Sequence, residues 1–339
     1  MMQSFVNVSF LGDISLNNQY EKMGNTSENP FTDISEQLFK SELVIGNLEC
    51  LLYGNGVNEK KIPRIGTTDK ALSLLKFLNL KMVTLAHNHI YDNLLDGFNK
   101  TTSFLKKNNI DFLGASANTH KYDDPLFMKI RGINFCFLNY VTEDTNPKIP
   151  NNAPVFLNFY NREKILNDIK NNKSKCDQLI LLFHWGGRTE GYLQPDWYQR
   201  QDSHSFIDAG ADLIIGGHSH TLQPFEVYKN KYIFYSLGNF CFGDVLYDGN
   251  HFKWGKESLN SVIVSANFSK STYTIDLIPI SNSENHVVND KSSSRILYKR
   301  NRMFKIIFYS IYIWKVYFFY ERFPKKAFLR VKSKILAKF

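Results

Sequence analysis

The stretch FIDAGADLIIGGHSH, residues 206–220, predicts the fold more clearly than any other part of the chain. A helix predicted near residues 197–210 ends at Gly210, a residue type that commonly closes helices. An apolar strand over residues 211–215 follows at once and leads into the polar run Gly217-His218-Ser219-His220. A helix, a buried strand and then polar side chains at the carboxyl end of the strand are typical of layered α/β proteins.

The same alternation extends through the rest of the chain. Early in the sequence, short apolar runs alternate with helical patterns, and later the strands follow one another directly. Further helices are predicted at residues 34–40, 68–78, 96–108 and 162–171. Strands are predicted at residues 5–11, 43–48, 81–86, 111–114, 133–141, 178–183, 232–237, 261–268 and 272–279. This order predicts a layered α/β fold.

The composition is that of a folded, soluble protein. Hydrophobic residues make up 43% of the 339 residues and charged residues 22%, which excludes a wholly disordered, collagen-like or polytopic membrane chain. The four cysteines, at positions 50, 136, 176 and 241, include no CxxC pair and favour reduced thiols in a cytosolic protein. The first 13 residues lack the basic and long apolar regions of a signal peptide. We therefore expect a cytoplasmic protein.

Polar side chains follow five of the predicted strands. They are Gly12-Asp13, Asn47-Leu48-Glu49, His87-Asn88-His89 with Asp92, His184-Trp185-Gly186, and Gly217-His218-Ser219-His220. Ligands of α/β sheets bind beyond the carboxyl ends of the strands, so these segments can converge on one crevice. A single Gly-Asp is usually only a turn, but five such segments together favour a shared site. Asp, Glu, Asn and His without Cys suit a divalent metal such as Mn, Zn, Fe or Mg.

As an ordered set, these motifs resemble a known family. The segments GD, NLE, AHNHIYD, HWG, GHSH and SLGNF (residues 236–240) look like those of the CapA family, named for poly-γ-glutamate capsule synthesis. The resemblance covers about residues 5–280. It implies the fold of the calcineurin-like metallophosphoesterases, a layered αββα sandwich of the metallo-dependent phosphatase type.

The resemblance also implies a role for each site residue. One or two divalent ions would be bound by Asp13, Glu49, Asn88, His184, His218 and His220. His89 would act as general acid or phosphate binder, with Asp92 orienting it. Asn239 and Glu190 would contact the substrate. The chain departs from the family pattern at three points: Ser15 stands where the superfamily has a ligand His, His87 replaces an Asn, and Glu190 follows HWG later than usual.

The C-terminal region differs from the rest in charge. Residues 291–339 contain 14 Lys/Arg and one acidic residue, whereas the other 290 residues have 27 basic and 31 acidic residues. We expect a CapA-like domain over residues 1–280, a polar linker over 281–294 and a basic, aromatic helical tail over 295–339. The tail is expected to lie as an interfacial helix on an anionic membrane. A helix docked on the body or a partner, and a true membrane span, remain alternatives.

Two functions of different classes follow. The first is a metal-dependent hydrolase of phosphoesterase type, acting in biosynthesis or modification of a capsule or other cell-surface polymer at the inner face of the cell membrane. The second is a non-catalytic capsule-assembly component that binds an anionic polymer or a membrane synthase. In both, the expected partners are surface-polymer intermediates or the synthesis machinery. Nucleic acid is not expected, because no module that reads it accompanies the basic tail.

Overall fold

The fold is described from a computed structural model, which covers residues 5–26, 28–247 and 250–322. In chain order, its helices are α1 (Gln19–Met23), α2 (Thr32–Leu38), α3 (Asp69–Leu72), α4 (Leu94–Lys107), α5 (Arg162–Lys173), α6 (Trp197–Ala209) and α7 (Lys291–Ile307). Short 3₁₀ helices occur at Ser73–Leu78, Glu143–Thr145, Gly187–Thr189 and Lys256–Ser258. Residues 311–322 are also helical.

The strands are mostly short and apolar. In chain order they are β1 (Val6–Ser15), β2 (Leu43–Leu48), β3 (Leu51–Leu52), β4 (Gly66–Thr67), β5 (Leu80–Thr84), β6 (Asp111–Leu113), β7 (Ala115–Ser116), β8 (Leu126–Ile130), β9 (Ile133–Val141), β10 (Phe156–Leu157), β11 (Gln178–His184), β12 (Leu213–Gly217), β13 (Phe225–Tyr228), β14 (Lys231–Phe234), β15 (Asn239–Phe242), β16 (Val245–Tyr247), β17 (Asn250–Phe252), β18 (Asn260–Phe268), β19 (Tyr273–Ser283) and β20 (His286–Asn289).

Two large sheets contain most of these strands. The first has the order β20-β19-β18-β1-β2-β5-β6, with β15 also paired to β1. The second has the order β13-β14-β12-β11-β9-β8. Strands β1, β2, β5 and β6 run parallel to one another, as do β9, β11, β12 and β14. Their carboxyl ends therefore lie at one edge of each sheet.

The core shows that the two sheets are stacked between helices. One buried apolar cluster joins the inner faces of both sheets and includes Phe10 and Ile45 from the first and Ile180 from the second. The neighbours of Ile180 in β11, Leu179 and Leu181, point the other way and pack with residues of α5, α6 and α7. The outer face of the first sheet packs similarly with α2, α3 and α4. The αββα sandwich predicted from the sequence is confirmed.

The register of the strands places the polar motifs side by side. In the first sheet, Asp13 of β1 is paired with Asn47 of β2 and with Asn239 of β15. In the second sheet, His184 of β11 is paired with Gly217 of β12. The strand ends that carry the predicted site thus form a compact group in each sheet.

The region predicted as a polar linker, residues 281–294, is instead part of the folded body. It contains the end of β19, the whole of β20 and the start of α7. Its polar residues pair through the backbone at the sheet edge, where Ser281, Asn282 and Ser283 pair with β20. Asp290 then accepts a hydrogen bond from the Ser292 N–H and caps α7. The polar composition of this region led to the prediction of a linker. A strand at the edge of a sheet buries few side chains, so it can form from a polar sequence.

The described part of the tail is docked on the second sheet's helical layer. Phe308 stacks on Trp197 of α6, with ring centroids 5.4 Å apart. The indole N–H of Trp314 donates to the carbonyl of Pro195 at 3.2 Å. Arg300 is buried and hydrogen-bonds to the Leu222 carbonyl and Glu257. Among the helices of the described ranges, none is long and apolar enough to cross a bilayer. Residues 323–339 of the predicted tail lie outside the described residues.

Candidate metal centre

Asp13 lies near the end of β1, where groups from two other strand ends hold its carboxylate. The Asn47 side-chain amide donates to Oδ1 at 2.9 Å, and the backbone N–H of His218 donates to Oδ2 at 3.0 Å. Gly217 allows this approach, since a Cβ added there would lie only 2.5 Å from Oδ1 of Asp13. The contact joins β12 of the second sheet to β1 of the first. Asp13 is therefore fixed at the junction of the two sheets.

Glu49 is the most unusual side chain of the site. It is completely buried, and neither carboxylate oxygen has a hydrogen-bond partner among the described residues. Burial raises its pKa well above the usual range, and the nearby Asp13 and Glu190 carboxylates add to the shift. Its Oε1 lies 3.6 Å from Nε2 of His184 and 3.8 Å from Nε2 of His220. An isolated buried carboxylate is costly unless a cation compensates its charge.

The ligand atoms form two groups that share this carboxylate. One consists of Glu49, His184 and His218, and the other of Asp13, Glu49 and His220, with the atoms of each group within 4.8 Å of one another. Atoms that bind one cation at about 2.0–2.2 Å lie within about twice that distance of one another. Small side-chain movements would therefore bring the atoms of each group into coordination range. Glu49 belongs to both groups and would contribute a carboxylate oxygen to an ion held by either of them.

Asn88 completes the predicted set of six. Its side-chain oxygen lies 2.8 Å from Nε2 of His184, on the side of the first group. All six residues expected as metal ligands, Asp13, Glu49, Asn88, His184, His218 and His220, are therefore brought together in the structure. Whether each coordinates an ion stays a prediction.

The chemistry of these side chains fits divalent cations. Burial lowers the pKa of His184 and His218 well below the usual range of imidazole, which favours the neutral, metal-binding form. In the described part of the chain, Nε2 of His218 has no hydrogen-bond partner, like the oxygens of Glu49. Buried polar atoms without partners are rare in folded proteins unless a ligand or ion contacts them. The residues present thus fit one or two ions of the Mn, Zn, Fe or Mg type.

The backbone of the GHSH turn is strained where its histidines stand. His218 and His220 have φ angles of +87° and +53°, in the left-handed region that residues other than glycine rarely adopt. Such strain costs on the order of 1–3 kcal/mol for each residue and is concentrated at functional sites. The turn aims both imidazoles back toward Glu49, and Asn239 contacts Nδ1 of His220 at 2.9 Å through its side-chain oxygen.

His89 and Asp92 form a pair beside the ligand groups. Nδ1 of His89 lies 2.6 Å from Oδ2 of Asp92, which also accepts the Ile65 N–H at 2.7 Å. The other ring nitrogen, Nε2, faces Oε1 of Glu49 at 4.0 Å. Burial raises the pKa of Asp92 to about 8 and lowers that of His89 well below its usual range. Asp92 is thus placed to orient His89, as the sequence resemblance implies.

The two residues predicted to contact substrate differ in position. Glu190 is on a largely exposed turn after β11, and its Oε2 lies 3.9 Å from Nε2 of His218. Asn239 is buried and contacts His220 instead of pointing to the surface. An outer residue that holds a ligand's second nitrogen fixes the orientation of the ring. Asn239 therefore acts on His220 in this structure, and direct contact with substrate stays a prediction for both residues.

Sequence reasoning missed a buried lysine at the site. Lys61 is only 2% exposed, and its ammonium donates to the Asn146 carbonyl at 2.7 Å. Burial lowers its pKa, while the charges of Asp92, Glu49 and Glu190 oppose that shift. Lys61 lies in an irregular segment anchored to Asp92 by the hydrogen bond from the Asn58 N–H to the Asp92 carbonyl. The only sequence signal was a lysine in a loop, which is usually exposed.

Three further residues were not assigned a role from the sequence. The Asn47 amide lies 3.1 Å from Nδ1 of His184 as well as binding Asp13, so it links the two sheets at the site. The rings of Phe242 and Trp254 both lie 4.8 Å from that of His220 and form an aromatic wall beside it. Asn47 was visible in the NLE motif, whereas Trp254 had no recognisable pattern.

Ser15 accounts for one departure from the family pattern. At this position, where the sequence resemblance leads us to expect a ligand His, the Ser15 hydroxyl is buried and donates to the side chain of Asn17 at 2.8 Å. It belongs to neither group of candidate ligands.

Comparison with known proteins agrees with the motifs at this site. The sequence profile of the family described as "Bacterial capsule synthesis protein PGA_cap" matches residues 7–244, more than half of the chain. The chain belongs to this family. The matched range includes every residue of the candidate metal centre from Asp13 to Asn239.

Two curated relatives of this capsule synthesis family are similar to the chain. "PGA biosynthesis protein CapA" of Bacillus subtilis (strain 168) is 29% identical over 251 residues, which are 70% of this chain and 63% of that protein. "Capsule biosynthesis protein CapA" of Bacillus anthracis is 27% identical over 250 residues, 69% of this chain and 59% of that protein. The chain thus spans about three fifths of the length of these relatives.

Solved structures with a similar arrangement include two nucleotidases. The NAD nucleotidase (NadN) of Haemophilus influenzae has a TM-score of 0.46 and 14% identity, covering 91% of this chain and 61% of its own. A 5'-nucleotidase precursor from Thermus thermophilus has a TM-score of 0.45 and 13% identity, covering 91% of this chain and 60% of its own.

Proposed function

We propose that this member of the capsule synthesis family is a metal-dependent hydrolase that acts on a phosphoester during synthesis or modification of a cell-surface polymer. The observation that carries the proposal is the position of Glu49, a fully buried carboxylate shared by two groups of candidate ligands. The names of the relatives, which refer to capsule and PGA biosynthesis, support the polymer as the context.

The chemistry of the proposed site combines cations with the protein's own groups. A bound pair of divalent ions would polarise a phosphoryl oxygen and lower the pKa of a bound water. The protein holds His89 with Nδ1 against Asp92 and Nε2 toward Glu49, so Nε2 is placed to bind the phosphoryl group and, once an anionic substrate favours the protonated ring, to give a proton to a leaving group. Lys61 brings a positive charge near Glu49 and Asp92, which would help to bind the phosphoryl group.

The direct test is hydrolysis by metal-loaded protein. Purified protein, stripped of metal and reconstituted with Mn or Zn, should hydrolyse an activated phosphodiester or phosphomonoester, and a His218→Ala, His220→Ala double variant should not. A His204→Ala variant is the matched control, because His204 is bound to Glu226 away from the site. A metal-loaded wild type that hydrolyses neither phosphoesters nor amides would contradict the proposal.

The second candidate is a non-catalytic assembly component that uses the same fold to bind an anionic polymer or a synthase. Ser15 favours this alternative, because its hydroxyl is bound to Asn17 and adds no imidazole to the ligand group of Asp13, Glu49 and His220. His89 favours the hydrolase, since a binding protein needs no proton donor beside its ligands. The hydrolysis assay separates the two.

Lys61→Met should lower kcat/KM for a phosphoester about 10–100-fold, because a charge-assisted hydrogen bond contributes about 1.5–3 kcal/mol. Methionine is similar in length and is tolerated in a buried position, so the fold should be kept. Lys60→Met is the matched control, since Lys60 is the exposed neighbour. Kinetics with wild-type metal content check the prediction, and equal kcat/KM in wild type and Lys61→Met would contradict a role in phosphate binding.

A further inference from the structure

The docked tail has two distinct faces. One face packs on the body through Leu297, Phe304 and Phe308, all at most 5% exposed. The opposite face, which we call the outer face, consists of Tyr298, Arg302, Lys305, Ile306, Tyr309 and Tyr312. Positions 298, 302 and 305 recur at the helical repeat and form one stripe along α7, and the exposed Tyr309 and Tyr312 follow beyond its end at Ile307.

The outer face exposes several large aromatic and apolar side chains. Tyr309 is 85% exposed, Tyr312 76%, Tyr298 73% and Ile306 60%. Large apolar and aromatic side chains gathered on one exposed face usually mark an interaction site. Because the other face of α7 is already buried against α6 and β14 residues, folding of the described chain does not explain this exposure.

The charges of the same segment identify the kind of partner. Residues 291–322 contain eight Lys/Arg and one acidic residue. Arg302 and Lys305 lie on the outer face among the tyrosines and are exposed. Tyrosines at the level of lipid headgroups with Lys and Arg beside them are typical of helices that lie in the interface of an anionic bilayer.

The side of the tail that packs on the body also contacts the turn that bears Glu190. Phe318 packs on Tyr192 with ring centroids 5.7 Å apart, and the Arg188 guanidinium lies 5.4 Å from the centre of the Phe318 ring. The Gly191 N–H donates to the carbonyl of Ser219, within the GHSH turn, at 2.9 Å. The tail therefore packs against the segment of residues 188–192, which is hydrogen-bonded to the GHSH turn.

We propose that the outer face is a docking surface for an anionic lipid bilayer. The tail then binds the membrane while it remains part of the fold, without spanning the bilayer. This inference does not depend on the proposed hydrolase activity, because it concerns lipid binding alone.

Co-sedimentation of the full-length protein with vesicles tests the proposal. The protein should bind vesicles of phosphatidylcholine mixed with phosphatidylglycerol at low salt and bind pure phosphatidylcholine much more weakly. Arg302→Glu with Lys305→Glu should weaken binding to the mixed vesicles more than about tenfold, since each basic residue near an anionic surface contributes on the order of 1 kcal/mol. Tyr309→Ser with Tyr312→Ser should weaken the part of the binding that resists salt.

The matched control is Phe39→Ser with Lys40→Glu, the same kind of change at an exposed aromatic and basic pair just after the end of α2. This variant should bind vesicles like the wild type, and all variants should keep the wild-type circular dichroism. Absence of wild-type binding to the mixed vesicles would overturn the proposal. Equal loss of binding in the control would also overturn it. A wild-type dimer in sedimentation that the outer-face variants dissociate would overturn it as well, because it would identify a second copy of the chain as the occupant.

Discussion

Replacing His89 by asparagine should lower turnover of an activated phosphoester about 10²–10⁴-fold, the usual contribution of a positioned general acid. Nδ1 of His89 is held by Asp92 at 2.6 Å, which leaves Nε2 toward the ligand groups at 4.0 Å from Glu49. Asparagine cannot supply that proton. Metal content should stay at the wild-type level, because His89 belongs to neither ligand group.

Asp92→Asn provides the comparison for this effect. It removes the carboxylate that orients His89 but leaves the ring in place, so we expect a smaller loss of kcat than in His89→Asn. Both variants should be assayed with the same metal and with metal content measured in parallel. A loss of metal in His89→Asn equal to that in a His218→Ala variant would show that His89 is a ligand and that the assigned role is wrong.

Glu49→Gln should stabilise the metal-free protein by about 1–3 kcal/mol, because it removes a buried charge that has no protein partner among the described residues. The pKa of Glu49 is raised in the fold, so the native state binds the proton more tightly than the unfolded state. The stability of the metal-free wild type should therefore fall as the pH rises above the ordinary range of Glu, and Glu49→Gln should remove that part of the fall.

Bound metal should reverse the order of stability, so that the wild type becomes more stable than the Glu49→Gln variant. Ions that bind only the folded state stabilise it by an amount that rises with the logarithm of their concentration divided by their Kd, and the variant lacks the shared carboxylate. Urea unfolding with and without Mn or Zn measures both effects, with Glu36→Gln at an exposed position as control. If metal-free Glu49→Gln is less stable than the wild type across the pH range, Glu49 has a compensating partner and the cation argument loses its basis.

Much of the candidate site could be predicted from the sequence because topology fixes it. Side chains at the carboxyl ends of parallel strands lie at the same sheet edge, which groups Asp13 with Asn47 in the first sheet and His184 with the Gly217-His218 segment in the second. The stacking of the two sheets then brings these two edges together. Lys61 could not be predicted in this way. It reaches the site from an irregular segment whose path depends on contacts such as that of Asn58 with Asp92.

The tail shows a second reason why the structure could not be fully predicted from the sequence. Its helical pattern is imperfect in the sequence, because Phe308 and the basic residues do not separate into one apolar and one polar side. The structure gives the reason: Phe308 stacks on Trp197, while Tyr309 next to it is exposed. Both residues lie in the turn between α7 and the helix over residues 311–322, so the tail is not one continuous helix and has no single amphipathic period. The docked helix was one of the alternatives that the sequence left open.

The number of metal ions bound by each folded chain tests the central claim most directly. Elemental analysis of wild-type protein, reconstituted with Mn or Zn and freed of loose metal, should give one to two ions per chain. The His218→Ala, His220→Ala double variant should lose them while the His204→Ala control keeps them. A wild type that binds no metal, or that binds the same amount as the double variant, would contradict a metal centre at Glu49.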